Sequence, residues 1–237
     1  MKIDRRISYK IMLDVETCPL DKDFEGVSPS NMWVYDIGFA VIDNRGKIYE
    51  THSYIVKDIF FGEKELMKSS YYANKLPQYY DDIRNGSRIV KSWYEIRQIL
   101  ADVMTKYNAT VVIAHNARFD DIATKNTQKW LTKSKYRYFL PYGTEVWDTL
   151  KMCRDTLGKQ PSYRRYCEQN GYLTKNNQVR LTAEIVYRYI SGNEEFVESH
   201  TGLEDVLIES QIFAYCMRQH KTMRKKLYAY QKIKKSC

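Results

Sequence analysis

The apolar pattern of the chain opens with three short runs. Residues Lys10 to Val15, Val34 to Ile42 and Ile48 to Val56 are rich in aliphatic, β-branched and aromatic side chains and read as strands. Asp43-Asn44-Arg45-Gly46 joins the second run to the third, and its Asn and Gly tolerate positive φ, so the link predicts an antiparallel hairpin. Pro19 to Asn31 has two prolines, a glycine, several carboxylates and no apolar period, which predicts a loop beside the end of the first strand.

From Ser92 the period changes. Trp93, Ile96, Ile99, Leu100, Val103, Met104 and Tyr107 recur at spacings of three and four, the stripe of an amphipathic helix with Ser92 as its N-cap. Ala109 to Ala114 is a short run of the type that fills a buried strand, followed by polar His115-Asn116 and a helical segment through Leu131. Val146 and Trp147 end a further strand. Helices are predicted over Thr149 to Leu157, Pro161 to Asn170 with Gly171 as the stop, Leu181 to Ile190, and Gly202 to Gln219. Three strands, then alternating helix and strand, then helices predict an α/β layer around a mixed sheet.

Composition narrows the class. The 237 residues are 43% hydrophobic and 28% charged, which fits a folded soluble protein rather than a disordered or repetitive one. No apolar run approaches the roughly 18 residues of a membrane helix, and Asp14 interrupts the only N-terminal candidate, Ile11-Met12-Leu13, so neither a membrane span nor a secretory signal is expected. Five widely spread cysteines without a C-x-x-C pair argue against a zinc site or a disulfide framework and for reduced thiols in the cytoplasm. The net charge of +9 favours a polyanionic partner. Seven basic residues and no acidic one fall within residues 221–237, which leaves the rest of the chain near +2. This segment is expected to be a basic tail following a single domain over residues 1–220. Tyr228 and Tyr230 among its lysines suit a phosphate-tracking, base-stacking arm as well as they suit a solvated end.

Three clusters carry the candidate chemistry. Asp14 and Glu16, two apart on a strand, share a face, and their mutual repulsion favours a bound divalent cation. Alone, such a triplet is weak evidence and reads more readily as a solvated strand end. His115-Asn116-Ala117-Arg118-Phe119-Asp120 follows a buried strand, at the strand end where open α/β sheets gather ligands, although Asn116 also suits a helix N-cap. Asp205 falls in the first turn of the last long helix, near its positive end, with His200 on the preceding loop.

Taken together, Asp14-x-Glu16, His115-Asn116-x-x-Phe119-Asp120 and His200-x-x-x-x-Asp205 resemble the DEDDh 3′→5′ exonuclease family, with motif likeness to the proofreading epsilon subunit of bacterial DNA polymerase III. Trp147-Asp148-Thr149-Leu150 is similar to the family's Asp-Thr/Ser-Leu segment. The resemblance implies a ribonuclease H-like fold, a mixed central sheet with helices on both faces. It also implies a site for two Mg²⁺ or Mn²⁺ ions, with Asp14 bridging both, Glu16 and Asp205 completing one and Asp120 holding the other. His200 would be the general base, and Thr17, His115, Asn116 and Phe119 would line the pocket for the terminal nucleotide. Asp148 is left outside the catalytic set as a backbone support.

The implied activity removes nucleoside 5′-monophosphates from the 3′ end of single-stranded DNA. The same chemistry on RNA is the alternative, and a catalytically silent nucleic-acid-binding module is the reading from another class. A polymerase or a replication or repair factor would be a natural partner. Two departures stand out. Cys18-Pro19 replaces the Thr-Gly of many relatives, and the stretch from Gly171 to His200 exceeds what compact members need, which suits a lid or strand-guiding flap.

Overall fold

The computed structural model describes residues 3–19, 31–70, 73–132 and 138–229. The strands are β1 (Lys10–Pro19), β2 (Met32–Ile42), β3 (Ile48–Val56), β4 (Ile89–Lys91), β5 (Val111–Ala114), β6 (Glu145–Asp148) and β7 (Lys226–Ala229). Among them run α1 (Lys57–Phe60), α2 (Lys64–Lys68), α3 (Leu76–Asn85), α4 (Trp93–Lys106), α5 (Arg118–Thr132), α6 (Thr149–Asp155), α7 (Pro161–Gln169), α8 (Ala183–Ser191) and α9 (Gly202–Arg218). The strands form one sheet in the order β4-β3-β2-β1-β5-β6-β7. The β1–β2, β2–β3 and β6–β7 pairs are antiparallel, and β1–β5, β5–β6 and β3–β4 are parallel.

Period-two alternation along β1 sends its side chains into two cores. Ile11, Leu13 and Val15 pack with Trp93, Ile96 and Leu100 of α4 on one face. Met12 packs with Ile113 and with Val206, Ile212 and Phe213 of α9 on the other, together with residues of α6, α7 and α8. The α/β architecture with helices on both faces follows. Asp14 and Glu16 have the parity of Met12 and therefore face α9, the helix that carries Asp205.

Local signals placed several elements. Ser92 and Glu95 form a reciprocal capping box at the start of α4, with the Ser92 N–H donating to the Glu95 carboxylate at 2.9 Å and the Glu95 N–H donating to Ser92 Oγ at 3.3 Å. Elsewhere the structure departs from the sequence pattern. β1 continues past Val15 to Pro19 because β2 keeps pairing with it as far as Pro19↔Met32, through a register shift between Glu16 and Thr17. Asp14 and Glu16 therefore lie within a strand rather than at its end. The opening beside them arises on the other side, where β5 pairs with β1 only at Ile11 and Met12 and then stops at Ala114. The loop expected over Pro19 to Asn31 lies, apart from its two ends, outside the described residues.

The basic C-terminal segment also contributes to the sheet. Lys226–Ala229 form the edge strand β7, and Arg224 just before it donates to Asp155 through its backbone N–H and Nε at 2.9 Å each and through Nη2 at 3.0 Å. Tyr228 packs against the core, which removes it from the role of an exposed stacking platform. Tyr230 and the remaining tail lysines lie outside the described residues. Among the described residues no helix is long and apolar enough to cross a membrane, and the cysteines are free and buried.

Candidate active site

The N-terminal end of α9 rests on a buried ion pair. Asp36 on β2, opposite Glu16 in the strand register, is fully buried. It accepts hydrogen bonds from the Tyr79 hydroxyl at 2.7 Å, Arg88 Nη1 at 3.1 Å and the Gly202 N–H at 3.4 Å. Arg88 also pairs with Asp82 at 3.0 Å. Asp82, six residues away, and the sequence-distant Asp36 thus fix the guanidinium, and Asp36 in turn holds the first residue of α9. Burial raises the Asp36 pKa, and Arg88, the Tyr79 hydroxyl and the Gly202 N–H each act in the opposite direction by favouring its charged form.

Five carboxyl groups converge where β1 meets α9. Asp14 is surrounded by Glu209, Asp120, Glu16 and Asp205, and burial together with these like charges pushes its pKa well above the usual range. Glu16 is raised by burial and then by Asp205 and Asp36, with Lys75 acting in the opposite direction. Asp120 is pushed up to about 8 by burial, against the backbone amides of Asp120 and Val15. Asp205 also reaches about 8, through burial and the nearby Glu198. Glu209 is raised well above the usual range by burial and then by Asp120 and Asp205. Oxygen atoms of Glu16 and Asp205 and a ring nitrogen of His200 all lie within 4.8 Å of one another.

His200 sits just ahead of α9 with φ at 51°, a left-handed conformation uncommon for residues other than glycine, though Asn, Asp and His adopt it more often than the rest. Its Nδ1 is 4.0 Å from a Glu198 carboxylate oxygen. Burial and then the charge of Lys75 lower the imidazole pKa, with Glu184 opposing. Glu198 is pushed up to about 7, mainly by burial. The imidazole is therefore neutral at neutral pH and able to accept a proton.

These groups open into a cleft of about 900 Å³. Asp14, Glu16, Asp205, Glu209 and His200 line it, as do Thr17, His115, Asn116 and Phe119. Asp120 lies behind Asp14 and is 4% exposed. Asn116 has φ at 65° and donates its N–H to Asp148 Oδ1 at 3.1 Å, while the same oxygen caps α6 by accepting from the Leu150 N–H at 2.9 Å. Asp148 thus supports the backbone of two site segments. Both ring nitrogens of His115 are engaged, Nδ1 with Thr149 Oγ1 at 3.0 Å and Nε2 with the Leu181 carbonyl at 2.7 Å. Burial lowers its pKa, so the neutral tautomer that donates from Nε2 fits this pair of contacts. What His115 presents to the cleft is ring surface rather than a free nitrogen.

The Leu181 contact anchors a hairpin over the cleft. Leu173 bridges Val179, the Thr174 N–H reaches the Gln178 carbonyl at 2.8 Å, and the Arg180 N–H reaches the Tyr172 carbonyl at 3.0 Å. The long stretch after Gly171 therefore begins with a pinned turn and continues into α8.

Sequence reasoning missed two acids. Glu209 lies one helical turn after Asp205 on the same face of α9, is 3% exposed, and accepts from the His115 N–H at 3.2 Å. Its i, i+4 relation to Asp205 was the available signal. Glu198 had none beyond its nearness to His200. Dense, hard oxygen donors with little positive charge among them form a donor set suited to Mg²⁺ or Mn²⁺.

The mixed seven-stranded sheet flanked by helices is similar in fold to several solved exonucleases. The 3′-exonuclease that recognises the 3′ end of the histone mRNA stem-loop matches over 100% of this chain and 74% of its own, with a TM-score of 0.58 and 14% identity. S. pombe Pop2p in its Mg²⁺- and Mn²⁺-bound form matches over 91% of this chain and 84% of its own, with a TM-score of 0.54 and 13% identity. Cell-death related nuclease 4 matches over 92% and 67% respectively, with a TM-score of 0.50 and 11% identity. No protein-family model and no curated protein sequence matches the chain. The likeness is one of fold.

Proposed function

We propose that the protein is a metal-dependent 3′→5′ exonuclease acting on single-stranded nucleic acid. The observation that carries this reading is the convergence of Asp14, Glu16, Asp205 and Glu209 in one cleft, with His200 at their edge and Asp120 buried close enough to act on Asp14. Structural carboxylates are normally paired with bases. These are paired mainly with one another, a costly arrangement that divalent cations relieve. The donor set fits Mg²⁺ or Mn²⁺, with Asp14 central, Glu16 and Asp205 on one side and Asp120 behind. When bound, two such cations would activate the attacking water and neutralise the charge that builds on the phosphate oxygens during in-line displacement.

The chain's own residues supply the rest. The neutral His200 imidazole takes the proton of the attacking water. Thr17 lies on β1 beside the acids, where it meets the terminal sugar, and the ring of Phe119 offers a face to the terminal base. Asn116, held in its left-handed conformation by Asp148, positions the strand between them.

DNA is the first substrate and RNA the second. The RNA reading is supported by the likeness of fold to the histone mRNA exonuclease. The buried free thiols support a reducing, cytoplasmic setting. Incubating matched 5′-labelled DNA and RNA oligonucleotides with Mg²⁺, with Mn²⁺ and with chelator tests activity, polarity and sugar preference together. A ladder that shortens from the 3′ end only when metal is present is expected. An intact substrate in every lane overturns the proposal.

A further inference from the structure

The acid-lined cleft has a second kind of wall. Arg154, near the end of α6, and Arg180, on the pinned hairpin, both line it. Neither guanidinium has an acidic partner among the described residues. That sets them apart from Arg88, Arg164, Arg188 and Arg224, each held by a carboxylate. Five carboxyl groups in the same cleft leave these two arginines unneutralised, so the arginines are not placed to compensate the acids.

Their mounting is rigid. The Arg180 carbonyl accepts the Tyr163 hydroxyl at 2.7 Å, its N–H donates to Tyr172, and the next carbonyl, Leu181, is held by His115. The backbone is fixed on both sides while the side chain is left exposed. Leu150, Val179 and Leu181 line the same cleft and give it an apolar surface. An apolar floor with unpaired guanidinium groups suits a nucleotide strand, because bases cover apolar surface while guanidinium forks match phosphate oxygens.

We propose that Arg154 and Arg180 form a subsite for the phosphodiesters on the 5′ side of the bond being cut. The strand runs along the hairpin and is held by its backbone charge, so that its 3′ end reaches the carboxylates, which would repel it unaided. This inference rests on the exonuclease reading above. It assigns the hairpin a part in substrate retention rather than in the chemical step.

The test pairs a change in the protein with a change in the substrate. Two 5′-fluorescein oligothymidylates, each ending in a phosphorothioate linkage that slows cutting, are compared by anisotropy in Mg²⁺. One has phosphates throughout and the other has neutral methylphosphonates at the linkages just 5′ to the last. Wild type is expected to bind the neutral version on the order of 10-fold more weakly, and Arg154→Ala/Arg180→Ala is expected to bind the two alike. The double variant's salt slope should flatten by about 0.7 for each phosphate that the arginines no longer hold. Equal discrimination by variant and wild type, or an unchanged salt slope, overturns the subsite. The exposure of both side chains keeps folding out of the comparison, and an unchanged melting temperature verifies it. Arginine-dependent binding without cleavage of an all-phosphate strand in Mg²⁺ or Mn²⁺ overturns the exonuclease reading and leaves the subsite standing. Cleavage with arginine-independent binding overturns the subsite alone.

Discussion

Gly38 on β2 and Gly202 at the start of α9 meet backbone to backbone. A Cβ on Gly38 would lie 2.2 Å from the Gly202 carbonyl carbon, and one on Gly202 would lie 2.6 Å from the Gly38 nitrogen. Gly38 is the register partner of Asp14, so this contact sets the distance between β1 and the first turn of α9. Gly38→Ala is expected to push the helix outward, at a cost of about 1–3 kcal/mol for overpacking. Hydrolysis should fall more steeply than stability, because Asp205 moves with the helix. Urea denaturation beside a nuclease assay checks this, and a wild-type rate would show that the contact does not position Asp205.

Asp14→Asn, Asp205→Asn and Glu209→Gln each remove a charge from a mutually repelling group. Each should raise the melting temperature in chelator at the alkaline end, where these raised groups ionise, while lowering or abolishing hydrolysis, the trade expected where function holds like charges together. For Glu209→Gln, Mn²⁺ titration by calorimetry adds a second readout. Unchanged Mn²⁺ affinity together with unchanged hydrolysis would reduce Glu209 to an anchor for the His115 backbone.

Without metal, stability should fall as pH rises. Asp120 and Asp205 have folded-state values of about 8 against an ordinary 3.8, and Asp14, Glu16 and Glu209 are shifted in the same direction. The folded chain therefore binds more protons than the unfolded chain between those limits, and the stabilisation is complete below the ordinary carboxylate range and lost as pH climbs toward about 8. Melting temperatures recorded in chelator should decline across this window, and Mg²⁺ should restore them most at the alkaline end. A chelated protein whose stability rises toward pH 8 would contradict the clustering of these groups.

His200→Ala should reduce the turnover rate by about 10²–10⁴, the range for losing a general base. The wild-type rate should hold as pH falls through the ordinary histidine range, because the His200 pKa is depressed. Rate–pH profiles of both proteins are the check, and a variant as fast as wild type would place the base elsewhere.

The parts of this fold legible in the sequence are those with local causes. Asn44 and Gly46 announce the hairpin, Ser92 and Glu95 cap α4, and Trp93 to Tyr107 mark its buried stripe. Residues 57–91 carry no such pattern. Their helices are short, and buried Met67 and Tyr79 stand among exposed neighbours, so tertiary packing rather than period defines them. Asp14, Glu16, Asp120, Asp205 and His200 could be gathered because their spacing forms a motif. Glu209 lies within an apolar helix and Asp36 within an apolar strand, where a lone acid gives no hint of its partners until the chain is folded. β7, which opens on Lys226 directly after Arg224 and Lys225, was hidden in a basic run, and lysine is common on edge strands because it discourages unwanted pairing.

The carboxylate cluster also has a timing. Asp14 and Glu16 leave the ribosome well before Asp205 and Glu209, which lie near the end of the described residues. β6, which carries the Asp148 support, gains its outer neighbour β7 later still. Contacts of such sequence separation form late because long loops must close before they are rewarded. A growing polypeptide therefore holds only fragments of the site. If the exonuclease reading holds, hydrolysis is expected only once α9 docks, and a chain ending before Gly202 is expected to be inert.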